Sequence, residues 1–219
     1  LKNTKNSIKY FEKAIEINPN YISALYNLAI VFFELEKYEE SSTYFKKVLK
    51  IDPAHLASLN NFGILLKKVK RYEDAIKCFE KIINIDKNFI KAYNNIGTIS
   101  LEQGKIKNAI SNYEKVLKLD PNNFISYKNL LAAYENSNQI ENYHKTLKLS
   151  EKKFPGEKIL ELYMGILMFR KNKFKESIKF LNKISFEEEN ETEKKRIFFL
   201  AKAYDRINKT DEAFKFFQL

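Results

Sequence analysis

The sequence is poor in the residues that form turns, with 5 glycines and 4 prolines among 219 residues. Average usage of these two residues is roughly 12%. The shortage argues against sandwiches, barrels and nucleotide-binding α/β folds, which depend on many tight or glycine-rich turns. No glycine-rich phosphate loop is present, and no apolar run approaches the roughly 18 residues that predict a membrane span. The sequence therefore predicts an all-α protein with short connections and no membrane span.

Residues that hold metals or perform catalysis are equally scarce. Cys78 is the only cysteine and His55 and His144 are the only histidines, so an internal disulfide and a structural zinc set of four N or S ligands are excluded. Cys78 has no histidine nearby in sequence to act as a base, and we interpret it as a packing thiol. We expect no metal, no cofactor and no enzymatic activity. The single cysteine fits a reducing compartment, so we expect a cytoplasmic location, with any targeting segment outside these residues.

Charge is plentiful and mostly carried by lysine. Lysine and arginine total 39 against 28 acidic residues, a net charge of +11, and only four residues are arginine. Specific reading of bases or phosphates favours the arginine fork over the lysine point charge, so this excess disfavours a nucleic-acid partner unless the lysines cluster on one face. One acidic run lacks the alternation and glycine-directed turn of a calcium loop, and we interpret it as a solvated loop; it comprises Glu187, Glu188, Glu189, Glu191 and Glu193.

The prolines reveal an internal repeat. Pro19, Pro53, Pro121 and Pro155 are separated by 34, 68 and 34 residues, and Lys87 occupies the missing position. Apolar residues in the unit that starts at Ile22 recur at steps of three and four, which predicts two amphipathic helices joined by a turn near residue 36. A hairpin of two helices cannot bury both apolar faces alone, so neighbouring units must stack and share a core.

The repeated residues resemble the tetratricopeptide repeat, a 34-residue helix–turn–helix unit. Five units keep its spacing of four apolar or small positions, as in Leu25, Leu28, Ala29 and Phe32, but the unit at 158–191 has Glu161 where an apolar residue belongs. The resemblance implies an α-solenoid, a right-handed superhelix of helical hairpins, over the single region 1–219. The predicted units are 1–21 (a second helix alone), 22–55, 56–89, 90–123, 124–157, 158–191 and 194–219. Because both ends fall within a unit, we expect a segment of a longer protein.

The family resemblance also implies a binding site, because first helices line a concave groove that holds a peptide or a partner helix. The groove residues expected on this basis are Tyr26, Asn27, Asn60, Asn61, Ile64, Lys67, Asn94, Asn95, Lys128 and Asn129. Among them, Asn27, Asn61, Asn95 and Asn129 recur every 34 residues and resemble the asparagine ladder of the O-linked N-acetylglucosamine transferase repeats. An amide can donate to and accept from a peptide bond. The alternative is that these amides brace neighbouring helices.

Two further features qualify this groove. The chaperone-binding subclass of this family grips a C-terminal carboxylate with a set of Lys, Asn and Arg side chains on consecutive first helices. This set is incomplete here, since Lys91 stands at a suitable position but Asn95 occupies the position where the subclass has arginine. From Ile159 onward the groove positions become apolar, in Leu162, Tyr163, Ile166, Phe169, Phe198 and Phe199. This predicts an apolar groove section covered either by a partner's amphipathic helix or by further chain.

The function predicted from these observations is a scaffold that binds a protein or peptide partner. The alternative is a substrate-recruiting arm of a larger enzyme, such as a glycosyltransferase or sulfotransferase. The sequence leaves the oligomeric state and the partner's identity open.

Small residues face each other within most hairpins, as Gly97 and Ala109 do. The unit at 124–157 instead has Leu131 and Tyr143 at these two positions. Bulky pairs separate helix axes toward the wide end of the roughly 8–10 Å range. We therefore expect a wider or rotated hairpin in this unit.

Overall fold

A computed structural model describes residues 2–187 and 190–217, and all regular structure in these ranges is α-helical. The expected all-α fold of helical hairpins is therefore confirmed. The helices are α1 (Lys2–Ile17), α2 (Ile22–Glu34), α3 (Tyr38–Ile51), α4 (Leu56–Lys68), α5 (Tyr72–Ile85), α6 (Ile90–Glu102), α7 (Ile106–Leu119), α8 (Phe124–Asn136), α9 (Ile140–Lys153), α10 (Lys158–Arg170), α11 (Phe174–Leu181), α12 (Glu191–Arg206) and α13 (Thr210–Phe217).

The turn inside each hairpin is built on one residue with a left-handed backbone. This residue is a glycine only at Gly104, with φ +71°; Lys70 and Asn138 adopt φ values of 60° and 54° at the equivalent place. Left-handed φ costs roughly 1–2 kcal/mol in residues other than glycine, and asparagine tolerates it best. The repeat therefore tolerates local strain to keep one turn geometry.

The turn between hairpins explains the recurring Asp or Asn before the proline. Asp52 Oδ1 accepts a hydrogen bond from the Ala54 backbone N–H at 3.0 Å, and Asp86 Oδ1 accepts one from the Asn88 N–H at 2.9 Å. These side chains close a local turn that competes with helix continuation. The second helix therefore ends at this point even where Lys87 replaces the proline.

The chain forms two compact units, Leu1–Asp120 and Pro121–Leu219, called here the N-terminal and C-terminal units. In the N-terminal unit, buried Phe45, Phe79, Leu59 and Ile82 belong to one hydrophobic core. In the C-terminal unit, a cluster around Leu162, Ile166 and Phe199 packs the last hairpins. Each unit therefore contains a continuous core shared by consecutive repeats, as stacking of amphipathic hairpins requires.

Small residues bring the two helices of a hairpin close together. Ser41 Oγ donates to the Ala29 carbonyl at 2.7 Å, and Ser177 Oγ donates to the Gly165 carbonyl at 2.8 Å. A Cβ on Gly97 would lie 2.5 Å from the Tyr113 ring. The backbone of the first helix is therefore in direct contact with the second helix.

The hairpin of α8 and α9 differs from the others, as its bulky pair predicts. Its helices pack less closely along their backbones than those of the other hairpins. Leu131 and Tyr143 are both buried, and the Tyr143 hydroxyl reaches past its own hairpin to donate to the Tyr163 carbonyl of α10 at 3.0 Å. The phenol thus joins two consecutive repeats.

The acidic run was expected to be a solvated loop, and for Glu191 and Glu193 this is wrong. Both lie in α12, and Glu193 is buried, ion-paired with Arg196 and hydrogen-bonded to the Phe186 backbone N–H at 2.9 Å. Hydrogen bonds from Arg196 lower the pKa of the Glu193 carboxyl. Glu188 and Glu189 lie outside the described residues. The Glu193–Arg196 pair therefore holds Phe186 and the end of the short helix α11 against α12.

Candidate functional site

The expected groove residues of the N-terminal unit lie on the first helices α2, α4 and α6. We call the asparagines of α4 and α6 at these positions the amide face; they are Asn60, Asn61, Asn94 and Asn95. Tyr26 on α2 borders this face, and its hydroxyl oxygen accepts a hydrogen bond from Asn61 Nδ2 at 2.7 Å. The bond connects side chains 35 positions apart and fixes α4 against α2.

Asn60 is adjacent to this bridge and is incompletely satisfied. Its Nδ2 donates to Asn61 Oδ1 at 3.3 Å. Its Oδ1 is buried and has no hydrogen-bond partner among the described residues. A buried polar atom without a partner costs about 1–3 kcal/mol, so Asn60 is an energetically unfavourable position in the described part of the chain.

A second bridge joins α4 and α6. Lys67 Nζ donates to Asn95 Oδ1 at 3.4 Å. This leaves the two Nδ2 hydrogens of Asn95 without a partner in the described part of the chain. Asn94 lies at the neighbouring position, where its backbone carbonyl accepts from Thr98 Oγ1 at 2.9 Å. The three first helices are therefore linked by side chains into one polar surface.

The remaining predicted residues have different surroundings. Asn27 is exposed on α2, and Ile64 is partly buried against the hydrophobic core. Lys128 and Asn129 belong to α8 in the C-terminal unit, where Lys128 Nζ lies 5.3 Å from the centre of the Phe124 ring. The structure thus brings Tyr26 together with Asn61, and Lys67 with Asn95, within the N-terminal unit.

Sequence reasoning missed a charged network in the C-terminal unit. Glu135, whose side chain is 9% exposed, lies 2.7 Å from Lys195 Nζ and 3.8 Å from Arg170. These residues come from α8, α12 and α10, so the ion pairs join three consecutive first helices. Burial, followed by the Glu135 charge, raises the pKa of Tyr163 to about 12. No sequence motif marks the network, because its members are up to 60 positions apart.

The expected apolar groove section of the C-terminal unit is largely closed, which corrects the sequence prediction. Leu162, Ile166 and Phe199 are buried, and the Phe169 ring packs edge-on against the Phe199 ring at 5.3 Å. Of these four, three are core residues because α10, α12 and the segment containing Ile184 converge on them. Phe198 is 46% exposed, and Lys202 Nζ covers its ring at 4.3 Å.

The cysteine thiol and the possible metal ligands form no candidate site in the described residues. Cys78 is buried on α5, and burial raises the pKa of its thiol to about 11. Residues 2–187 and 190–217 hold no group of three His, Cys, Asp or Glu side chains arranged to bind a metal. In the same ranges, none of the helices is long and apolar enough to cross a membrane.

Comparison with protein families gives three matches along the chain. All three families are described as tetratricopeptide repeat, and they match residues 1–21, 22–88 and 90–123. A comparison with curated proteins found no match.

Solved structures with a similar fold cover most of the chain. PilF of Pseudomonas aeruginosa is 21% identical with a TM-score of 0.69, over 83% of both chains. YrrB, described as a TPR protein with an unusual peptide-binding site, is 17% identical with a TM-score of 0.64, over 95% of this chain and 98% of its own. A MamA structure is 17% identical with a TM-score of 0.66, over 87% of this chain and 93% of its own. At these identities the similarity shows the fold alone.

Proposed function

Because the chain belongs to the tetratricopeptide repeat family, we propose that it is a protein-interaction scaffold whose amide face binds an extended peptide. Support comes from the family, from the fold shared with YrrB, whose description includes a peptide-binding site, and from the polar character of α4 and α6. A surface of asparagine side chains suits an extended backbone, since each amide offers a donor and an acceptor.

The observation that carries the proposal is the unpartnered oxygen of Asn60. In the free protein this acceptor is buried and has no hydrogen-bond partner within residues 2–187 and 190–217, a state that costs free energy. A rotation of the Asn60 side chain toward solvent would let its Oδ1 accept a hydrogen bond from the N–H of a peptide bound on the amide face. Binding then relieves the cost, and the free energy released favours the complex.

The neighbouring asparagines have a mixed role in this proposal. Asn61 already donates to Tyr26 and accepts from Asn60, so its main contribution is to hold α2 and α4 in register. Asn95 uses its oxygen for Lys67 and keeps its Nδ2 hydrogens for a peptide carbonyl. Asn60 and Asn95 thus supply an acceptor and a donor on adjacent first helices, as backbone recognition requires.

The test starts from a random peptide library displayed on phage and selected on the whole chain. The affinity of a selected peptide is then measured for the wild type, Asn60→Leu and Asn95→Leu. We expect each substitution to weaken binding several-fold, because a hydrogen bond contributes on the order of 0.5–1.5 kcal/mol.

The matched control is Asn108→Leu, which changes an exposed asparagine on the second helix α7, away from the amide face. This variant should bind the peptide as the wild type does. Equal affinities for all four proteins would contradict the proposed face. We also predict no catalytic turnover by the purified chain, since its described residues hold no metal-ligand cluster and their cysteine is buried.

A further inference from the structure

The second helices of the C-terminal unit carry a cluster of exposed lysines. The buried residues of α9 are Tyr143, Leu147 and Ser150, and those of α11 are Ser177 and Leu181. On the opposite side of both helices, and directly after α11, lysines recur at steps of three and four, so they share one face. We call this surface the lysine face; its members are Lys145, Lys148, Lys152, Lys175, Lys179 and Lys183, all exposed.

Both helices present these lysines to the same side of the C-terminal unit. They are the second helices of consecutive repeats, and Lys145 and Lys179 occupy equivalent positions, 34 residues apart. Stacked repeats present equivalent positions on one surface. Because α9 and α11 each pack against α10, the lysine face is directed away from that first helix and toward solvent.

Few opposite charges balance the lysine face. Within residues 2–187 and 190–217, none of its six members forms an ion pair with a carboxylate oxygen within 4.0 Å. The exposed acidic residues of α9 and α11 are Glu141 and Glu176, and Glu176 already pairs with Lys173 at 4.0 Å. The face therefore carries a strong excess of positive charge.

This excess is specific to the C-terminal unit and is not a property of the repeat. On α5, a second helix of the N-terminal unit, exposed Glu73 and Glu80 alternate with lysines, and Lys77 pairs with Asp74 at 3.7 Å. Glu80 occupies the position equivalent to Lys148. Interspersed charges of both signs are typical of a solvated surface, whereas a face of one sign attracts an anionic partner.

The composition of the lysine face favours an anionic lipid surface over a nucleic acid. Neither α9 nor α11 contains an arginine, the residue whose fork suits phosphates and base edges. Leu149 is 47% exposed and lies on the same side of α9 as Lys145 and Lys148. An exposed apolar side chain among lysines suits the boundary between lipid headgroups and acyl chains.

We propose that the lysine face binds the surface of a bilayer that contains anionic lipids. Clusters of about four to eight basic residues on an amphipathic helix are typical of such binding, and each lysine near the surface raises the affinity about fivefold. The ammonium groups attract the anionic headgroups, and Leu149 inserts among them. The amide face belongs to α4 and α6 in the N-terminal unit, so the lysine face is a separate site that goes beyond the proposed peptide binding.

The experiment is sedimentation of the whole chain with lipid vesicles. Vesicles of phosphatidylcholine provide a neutral surface, and vesicles that also contain phosphatidylserine provide an anionic one. We expect the chain to bind the anionic vesicles alone and to dissociate as salt is added, because salt screens exposed charges. Absence of binding to the anionic vesicles, or equal binding to both kinds, would overturn the proposal.

Two double variants of equal net charge locate the binding surface. Lys145→Gln with Lys148→Gln neutralises two members of the lysine face, and we expect the affinity for anionic vesicles to fall on the order of 25-fold. The matched control is Lys77→Gln with Lys81→Gln, which neutralises two exposed lysines of α5 and should bind as the wild type does. Equal losses in the two variants would show that only the net charge matters and would overturn the lysine face as the site.

A leucine variant and a short DNA duplex separate a lipid surface from a nucleic acid. Leu149→Ser keeps every charge, and it should bind anionic vesicles several-fold more weakly because an apolar side chain no longer enters the headgroup boundary. Unchanged vesicle binding by Leu149→Ser would overturn the insertion of this residue. Binding of the DNA duplex by the wild type, without binding of the vesicles, would assign the lysine face to nucleic acid and overturn the lipid proposal.

Discussion

Asn61 donates an amide hydrogen to the hydroxyl oxygen of Tyr26 over 2.7 Å, and this bond joins the first helices of two consecutive repeats. We predict that Tyr26→Phe destabilises the N-terminal unit by about 1 kcal/mol, the usual net value of one such bond. Urea denaturation measures the loss. Because both changes break the same bond, Tyr26→Phe and Asn61→Ala together should cost less than the sum of their separate effects.

The control for this bridge is Tyr21→Phe, which removes the hydroxyl of an exposed tyrosine just before α2. It should leave stability within about 0.5 kcal/mol of the wild type. Additive effects of Tyr26→Phe and Asn61→Ala would show that the bond does not couple the two helices.

The left-handed residue of each hairpin turn gives a prediction about backbone strain. Lys70 adopts φ 60°, a conformation that glycine reaches without steric cost. Lys70→Gly should therefore stabilise the protein by about 1 kcal/mol, measured by thermal or urea unfolding. Lys68→Gly, two residues earlier at the last position of α4, should instead destabilise it. A loss of stability in both variants would show that the left-handed backbone of Lys70 carries no strain.

The close spacing of α6 and α7 predicts a change in stability for Gly97→Ala that is opposite in sign to the change expected from helix propensity. Alanine is a better helix former than glycine by about 1 kcal/mol, so propensity alone favours Gly97→Ala. The added Cβ, however, would lie 2.5 Å from the Tyr113 ring, and overpacking typically costs about 1–3 kcal/mol. We expect a net loss of stability. Ala29→Gly in α2 should also destabilise, since that hairpin already accommodates a methyl group. A gain of stability in Gly97→Ala would disprove the close approach of Gly97 to the Tyr113 ring.

Cys78 gives a chemical prediction from its pKa. Burial raises this value to about 11, so near pH 8 the reactive thiolate should be on the order of 10²-fold less abundant than in a free cysteine. Iodoacetamide should therefore modify native Cys78 slowly and the urea-unfolded chain rapidly. Lys77→Cys in a Cys78→Ala background places an exposed thiol on the same helix and should react quickly without urea. Equal rates for the two native proteins would contradict the burial.

The sequence predicted the helices and their pairing well, because a hairpin repeat places the same apolar residues at fixed intervals in every unit. Leu25 and Leu59 are buried as this periodicity requires. The pattern could not predict which asparagines bond to neighbours, since the Asn61–Tyr26 and Asn95–Lys67 contacts depend on side-chain positions across different helices.

The repeat pattern also could not predict the burial of residues whose contacts differ from one unit to the next. Glu193 reads as one of several solvated glutamates in the sequence, yet Arg196 and the Phe186 N–H allow it to be buried. Phe199 reads as a groove residue, yet it is part of the core because α10 and the segment around Ile184 close over it. In both cases a contact specific to one unit decided the outcome.

We propose that Asn60 provides a binding oxygen while Asn61 braces the fold, and Asn60→Leu tests this division of roles most directly. Leucine occupies the equivalent position as Leu162 in α10, where it is buried, so the repeat accommodates this residue. Stability in urea and the affinity of a library-selected peptide are measured on the same protein. We predict unchanged or increased stability, since the unsatisfied oxygen is removed, together with several-fold weaker peptide binding. Unchanged affinity in a stably folded Asn60→Leu would contradict the account.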